Sequence, residues 1–575
     1  MRPWMNKSLS FGILGLFLIA LGGVLCFLWP TVFHQILQKE LALSPTSKSF
    51  EIWRDTSKFP PMILKIYLFN WTNPHELYVR KPHFTQLGPY SFREVRQKDN
   101  IKFHHENKTV SYFQRRYWYF DAEHTNGSLS DIVTNLDPVV ASAVHKIRYW
   151  EAEWQNSLSI LLTTTGRRVH NSKTVNEMLF AGYSDNLLTM SKMMPVDDVP
   201  TYDRFGWLYM KNGSIEMDGH LNMETGEEDI SQLGILRKWN YKDRTRYFKS
   251  PCNDIEGSAG EFWPPNRTKD DISIFSVDIC RPIIYEYEET VSYLGIGAYR
   301  YTLDKKTLGN DTRRRFPHEQ VKFFEPTTTT EDFFAAEHSA EMGFTTTTES
   351  ASDERSSEKS SDDYPDDNPD IINMGHCYCN GECTPLGLVN TTSCRYGAPV
   401  FISLPHFYKS DPVLLDQVDG MSPNDKDHSF SITLEPTTGI PLEVAARLQI
   451  NLLLHPSKHV SLYRDVPKIY MPMFWFDLKV QVNEEMASNL KKLLALPTVM
   501  LSTGIAMIVV GICLIGIIAF LYLKKKRRTS LRTAAPEKTV DEPSEKKSEV
   551  LYMDKTGSNE ESNVRTDRRL YAKLY

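Results

Sequence analysis

Six cysteines are the residues of this chain best suited to covalent chemistry: Cys252, Cys280, Cys377, Cys379, Cys383 and Cys394. An even set of thiols within residues 252–394 reads as a disulfide framework if that region faces an oxidising compartment. The partners stay open on this reading, although a Cys377–Cys379 link would strain disulfide geometry. His376 beside Cys377-x-Cys379-x3-Cys383 also allows a metal site to be drawn, a poorer choice in oxidising surroundings. Cys26 and Cys513 lie in apolar stretches, apart from the six.

A catalytic set is harder to find. The chain holds no G-x-S-x-G, H-E-x-x-H, G-x-x-x-x-G-K-[ST] or G-x-G-x-x-G, so nucleophile elbow, zinc helix and phosphate-cradling loops all lack their signatures. Gly295-Ile296-Gly297 lacks a third glycine, and His104-His105-Glu106 does not put two imidazoles on one helical face. Acid pairs such as Asp197-Asp198 and Asp270-Asp271 are too common to imply acid–base work. Nothing points to a cofactor, a resident metal or nucleic acid, and the expectation is a protein that is not an enzyme.

The elements that carry the cysteines settle their compartment. Residues 9–29 and 498–523 are apolar and uncharged, and each is long enough to cross a ~30 Å hydrocarbon core. The first exceeds a signal-peptide core and runs into Phe27-Leu28-Trp29-Pro30 without a small-x-small cleavage site. Arg2 and Lys7 precede the first span and Lys524-Lys525-Lys526-Arg527-Arg528 follows the second, which places residues 1–8 and 524–575 in the cytosol. Lys491-Lys492 pulls the other way but is outnumbered. Residues 30–497 then form one ectodomain. Its sequons, Asn70, Asn107, Asn126, Asn212, Asn266, Asn310 and Asn390, all fall inside that loop and are expected to carry glycans. The net charge of −6 describes mainly this soluble part.

Much of the ectodomain reads as strand. Residues 63–69, 110–120 and 470–480 are rich in β-branched and aromatic side chains, and Asn126-Gly127, Asn212-Gly213, Asp218-Gly219 and Thr225-Gly226 supply turns. The pattern predicts a mainly antiparallel sheet or barrel. Residues 138–194 break it: Val140, Ala143, Val144 and Ile147 recur at helical spacing after Asp137-Pro138, and Thr174-x-x-Glu177 has capping-box form. A small helical bundle is expected there, with Leu158, Ile160, Leu161 and Leu162 as its core or, alternatively, as an exposed apolar entry surface. Residues 327–373 hold 13 acidic against two basic side chains. Such self-repelling, Ser/Thr-rich sequence predicts a disordered, O-glycosylated insert. In the tail, Tyr571-Ala572-Lys573-Leu574 has the Tyr-x-x-apolar form of an endocytic sorting signal.

A longer string is more specific. Cys394-Arg395-Tyr396-Gly397-Ala398-Pro399-Val400-Phe401-Ile402-Ser403-Leu404-Pro405-His406-Phe407 precedes Asp419-Gly420-Met421-Ser422-Pro423-Asn424, Glu435-Pro436-Thr437-Thr438-Gly439 and Arg447-Leu448-Gln449-Ile450-Asn451-Leu452-Leu453. Upstream stand Phe69-Asn70-Trp71-Thr72-Asn73, Gly88-Pro89-Tyr90, Phe262-Trp263-Pro264-Pro265 and Asp278-Ile279-Cys280-Arg281. In this order they resemble the class B scavenger receptor family over nearly the whole chain.

The resemblance implies an α+β membrane protein: two transmembrane helices around an irregular antiparallel barrel with an apical helical bundle. It implies the pairing Cys252–Cys377, Cys280–Cys394 and Cys379–Cys383. It further implies a receptor at the plasma membrane or in endosomal and lysosomal membranes. Its ligands would be lipids, lipoproteins, and apoptotic or microbial surfaces, and self-association is allowed. Capture would lead to lipid transfer through a tunnel, or to endocytic uptake. An adhesion or phagocytic receptor without lipid transport, and a carrier of a lumenal protein to lysosomes, are the competing readings. Where the family's fatty-acid receptors place apical lysines, this chain reads Thr163-Thr164-Thr165-Gly166-Arg167-Arg168, and Arg167 and Arg168 become the candidate anion contacts. The acidic insert is a second departure.

Overall fold

The structure, a computed structural model, describes residues 2–58, 62–192, 202–309, 313–315, 371–379 and 382–533. Asn310, nearly all of the acidic insert, and the Tyr571–Leu574 signal lie outside the described residues. Helix Arg2–Leu41 contains the first apolar stretch and helix Glu484–Thr533 the second. They have 40 and 50 residues, more than the roughly 20 that a bilayer requires. The surplus turns enter the ectodomain's cores. Leu37 and Leu41 pack with Leu43, Trp53, Tyr112 and Met223, and Ala487 and Leu490 pack with Ile296, Ala298 and Leu442. Within the membrane unit the helices touch backbone to backbone. A Cβ on Gly15 would stand 3.0 Å from the Gly511 carbonyl, and one on Gly511 only 2.6 Å from the Gly15 carbonyl.

The ectodomain is organised by one antiparallel sheet. Its order is Ile272–Ser276, Arg281–Tyr293, Ile296–Leu303, Ser431–Leu434, Pro441–Leu454, Ile469–Gln481, Met62–Trp71, Phe84–His104, Thr109–Phe120, His220–Glu224 and Leu236–Trp239. Leu294 (φ 48°) and Gly295 (φ 75°) make the two-residue turn between Tyr293 and Ile296. Left-handed values at both positions match the right-handed twist of the flanking strands. The first and last strands of the path are joined through Ser258, which bridges Ile235 on one side and Ile274 on the other. Ser258 N donates to Ser273 O (2.8 Å), Phe275 N donates to Ser258 O (2.9 Å), and Leu236 N donates to Gly257 O (2.9 Å). The two sheet edges are thereby bridged, and the sheet is nearly closed into a barrel.

The inward face has two characters. On one side Leu64, Leu478 and Ala446 lie opposite one another, as do Ile66, Phe476 and Leu448. These residues pack against the two largest core clusters. On the other side, Phe84–His104 and Thr109–Phe120 bring Glu94 opposite Trp118, Arg96 opposite Arg116 and Lys98 opposite Gln114. Lys98 pairs with Glu261 (2.6 Å), Arg116 with Asp218 (2.6 Å), and Glu94 with Arg96 (2.6 Å). Burial pushes the Glu94 carboxyl up, but Arg96, Arg116 and the Trp118 indole outweigh it and hold it below the usual range. Burial keeps Lys98 below the ordinary lysine value even beside Glu261.

Histidines are also buried among these strands. His406 Nε2 meets Gln86 Oε1 at 2.8 Å, Ser422 N donates to His406 Nδ1 at 3.1 Å, and Gln86 Oε1 also accepts from Trp475 Nε1 at 2.7 Å. His428 stacks on His406 with centroids 4.4 Å apart. Burial first, then the neighbouring imidazole, lowers His406 to about 4; burial lowers His428 to about 4, Asp427 partly opposing.

The Cys-rich region sits against the barrel. Cys252 is joined to Cys377, Cys280 to Cys394 and Cys379 to Cys383, enclosing sequence separations of 125, 114 and 4 residues. Loop-closure entropy makes the long links the stabilising ones.

Two outcomes follow from this packing. Replacing Cys280 and Cys394 together by Ser should cost about 4–5 kcal/mol and lower Tm far more than replacing Cys379 and Cys383. Equal losses in a thermal melt of the detergent-solubilised chain would contradict the entropic ordering. The second concerns pH. A histidine held below its unfolded value of roughly 6.5 stabilises the fold while neutral, and this contribution fades as pH falls from about 6.5 towards 4. His406 and His428 should each withdraw on the order of 1–2 kcal/mol by pH 5. Asp137, raised to about 6 by burial, works in the opposite direction and offsets part of the loss. Tm should therefore fall between pH 7 and 5, and a flat or rising Tm would overturn this.

Candidate ligand-capture surface

Residues 138–192 fold into helices Pro138–Lys146, Ala152–Thr164 and Asn186–Ser191, with strand His170–Thr174 paired to Ile132–Leu136. Pro138 starts the first helix and Asp137 caps it, accepting from Val139 N (3.0 Å) and Val140 N (3.2 Å). Capping of this kind satisfies donors that have no partner in the first turn. Val140, Val144 and Ile147 are buried, as their spacing predicts. Thr174 and Glu177 form the reciprocal pair of a capping box: Thr174 N donates to Glu177 Oε2 (2.9 Å) and Glu177 N to Thr174 Oγ1 (3.2 Å). A π-turn over Glu177–Ala181 follows where the sequence suggested an α-helix.

Arg167 ties two of these helices together. Its guanidinium pairs with Asp185 (2.5 Å) and Asp137 (3.5 Å), and Asp185 caps Asn186–Ser191 by accepting from Leu187 N (2.9 Å). Both carboxylates are nearly inaccessible, so Arg167 balances charge that burial would otherwise leave unpaired. Arg168 differs: it is exposed, and it has no ion pair among the described residues.

The four apolar residues of Ala152–Thr164 divide. Leu162 is buried and Leu158 packs on the main core, Leu161 is half-buried, and Ile160 is 66% exposed. Nearby, Tyr149 is 78% and Trp154 47% exposed. The Tyr149 hydroxyl donates to Glu382 (2.7 Å), which also accepts from Arg148 (2.6 Å). The stretch from Tyr149 to Arg168 thus exposes three large apolar side chains and one cation without an ion pair among the described residues, and exposed apolar side chains of this size are candidates for an interaction surface. Sequence reasoning missed Tyr149 and Trp154 because their flanks follow no clean helical period.

The remaining expected site residues are scattered over the fold. Asn70 lies in strand Met62–Trp71, Asn107 in the turn before Thr109–Phe120, and Asn390 in strand Val389–Asn390. Asn126, Asn212 and Asn266 lie in loops.

A sequence model described as the CD36 family matches residues 13–522. Protein peste of Drosophila melanogaster is 35% identical over 510 residues, covering 88% of this chain and 80% of that protein. Scavenger receptor class B member 1 of Rattus norvegicus is 30% identical over 474 residues, 82% of this chain and 80% of the relative. Lysosome membrane protein 2 of Homo sapiens is 26% identical over 517 residues, 88% of this chain and 91% of the relative. With two terminal spans around a nearly closed antiparallel barrel, and a match that runs from the first span to the second, this chain belongs to the CD36 family.

Proposed function

We propose that the chain is a scavenger-type receptor that captures lipids, lipoproteins, or apoptotic and microbial surfaces at its helical apex and then takes them up or passes on their lipid. The exposure of Tyr149, Trp154, Ile160 and Arg168 within one 20-residue stretch carries this reading. Apolar surface kept out of a core costs about 25 cal/mol per Å², and an amphiphilic ligand recovers that cost while its anionic head meets the guanidinium. Onward passage of acyl chains would be driven by the ~0.8 kcal/mol that each methylene gains on leaving water. Binding and transfer of this kind make and break no covalent bond. The receptor acts at the plasma membrane and along the route to lysosomes, a membrane named in one of its relatives.

The arginines separate the structural and the binding roles. Trp154→Ala with Ile160→Ser should cut uptake of fluorescent lipoprotein several-fold at matched surface density, and Arg168→Glu should weaken capture of anionic particles most at low salt. Arg167→Glu should instead impair folding and export, because it leaves Asp137 and Asp185 facing a like charge. Unchanged uptake by the Trp154/Ile160 variant would sink the apical reading.

The tail motif favours internalisation over stable display. Tyr571→Ala should raise steady-state surface density, measured by surface biotinylation, while leaving binding per receptor unchanged.

A further inference from the structure

A second concave surface lies away from the helical bundle. This open cavity lies on the face of four strands opposite to the core residues Val110, Tyr112, Leu221 and Met223, and its volume is about 740 Å³. Volumes of roughly 300–1,000 Å³ are typical of small-ligand sites. Its wall contains Lys102, His104, Lys238, His220 and Tyr241, and no acidic residue lines it. Tyr241 is 69% exposed. Its ring lies flat on His220, with centroids 4.0 Å apart and planes 15° off parallel. Phe113 meets the same imidazole edge-on at 5.2 Å.

Asn240 (φ 50°) and Tyr241 (φ 68°) form the two-residue turn between Trp239 and Lys242, with left-handed values at both positions. Asn240 Oδ1 accepts from His220 N (3.0 Å) and helps hold the turn. In addition, His220 Nδ1 is buried with no hydrogen-bond partner among the described residues, although a buried polar atom normally finds one. The arrangement presents the Tyr241 ring, backed by the His220 imidazole, and the exposed Asn100 amide to whatever fills the cavity.

The occupant is already attached to the rim. Asn107 lines the cavity and opens the sequon Asn107-Lys108-Thr109. The Thr109 hydroxyl donates to Asn107 Oδ1 (2.8 Å), which leaves Nδ2, the atom a glycan is linked to, without that bond. A sugar tethered at the rim meets the cavity at high effective concentration, so even weak contacts hold it. Aromatic rings accept the C–H faces of pyranoses, and amides and imidazoles bond their hydroxyl and acetamido groups. We propose that this cavity is the seat of the protein's own Asn107-linked oligosaccharide, whose first residues stack on Tyr241 and cover this outer face of the barrel.

A seated glycan is shielded from processing enzymes, and this gives the test. The full chain is expressed in mammalian cells and site-specific glycopeptide mass spectrometry compares Asn107 with Asn126 and Asn266. In the wild type Asn107 should be occupied and remain largely oligomannose. Tyr241→Gly removes the ring and suits the left-handed turn, so export should persist, and the complex-type fraction at Asn107 should rise several-fold with the other two sites unchanged. Tyr241→Phe should behave as wild type. Should Tyr241→Gly fail to leave the endoplasmic reticulum, Lys238→Ala with His104→Ala, both on exposed positions, provides the same comparison. An unoccupied Asn107, or equal processing at Asn107 in the wild type and the ring-deleted variant, would overturn the proposal.

Discussion

The eleven-strand path of the thirteen-stranded sheet has two ends, and everything else in the ectodomain depends on their being joined at Ser258. Unpaired edge amides would otherwise be left for water or for another chain. The join is made by a loop rather than by a direct ladder: residues 257–259 lie between Leu236–Trp239 and Ile272–Ser276 and bond to both sides. The contact is tight, because a Cβ on Gly257 would stand 2.6 Å from the Ser273 hydroxyl. The same segment leads to Phe262 and Glu261, so the loop that closes the barrel also delivers the carboxylate that neutralises Lys98. Closure and interior charge balance are one structural event.

Closure explains why the inward face can differ so much from side to side. The interior is walled off, and polar groups there are stable only if they answer one another. They do: Gln114 Nε2 donates to Asp218 (2.6 Å), which also pairs with Arg116, and Arg116 continues outward to the half-exposed Asp278 and Arg395. Removing one member of such a network strands another in a medium of low dielectric, at a cost of roughly 3–5 kcal/mol. The network also ties strands from the first half of the chain to the Cys-rich region, since Asp278 and Arg395 flank Cys280 and Cys394. The apolar half makes no such demand, and its residues link the two main clusters through the half-buried Ile450.

What could be read from the sequence follows the same division. Strands with apolar alternation were legible almost to the residue: 63–69, 110–120 and 470–480 became Met62–Trp71, Thr109–Phe120 and Ile469–Gln481. The 21-residue strand Phe84–His104 was not, because its inward positions are Glu94, Arg96 and Lys98, which look like a solvated surface until their partners are known. Turn chemistry read well, and Gly219 and Gly226 both take left-handed φ values. The apex was half legible. Periodicity located its first helix, but the role of Arg167 depends on Asp185, 18 residues further on, and no local pattern announces that pair. Arg168, its neighbour in sequence, is alike in type and opposite in circumstance.

The close approach of Gly15 to Gly511 also bears on the outer ends of the two helices. Gly12 lies near Ile518, so the helices run antiparallel and the start of one accompanies the end of the other. The first turn of helix Arg2–Leu41 and the basic cluster that follows Leu523 therefore leave the bilayer on one side and together, and anionic lipid gathered by those five cations would border both.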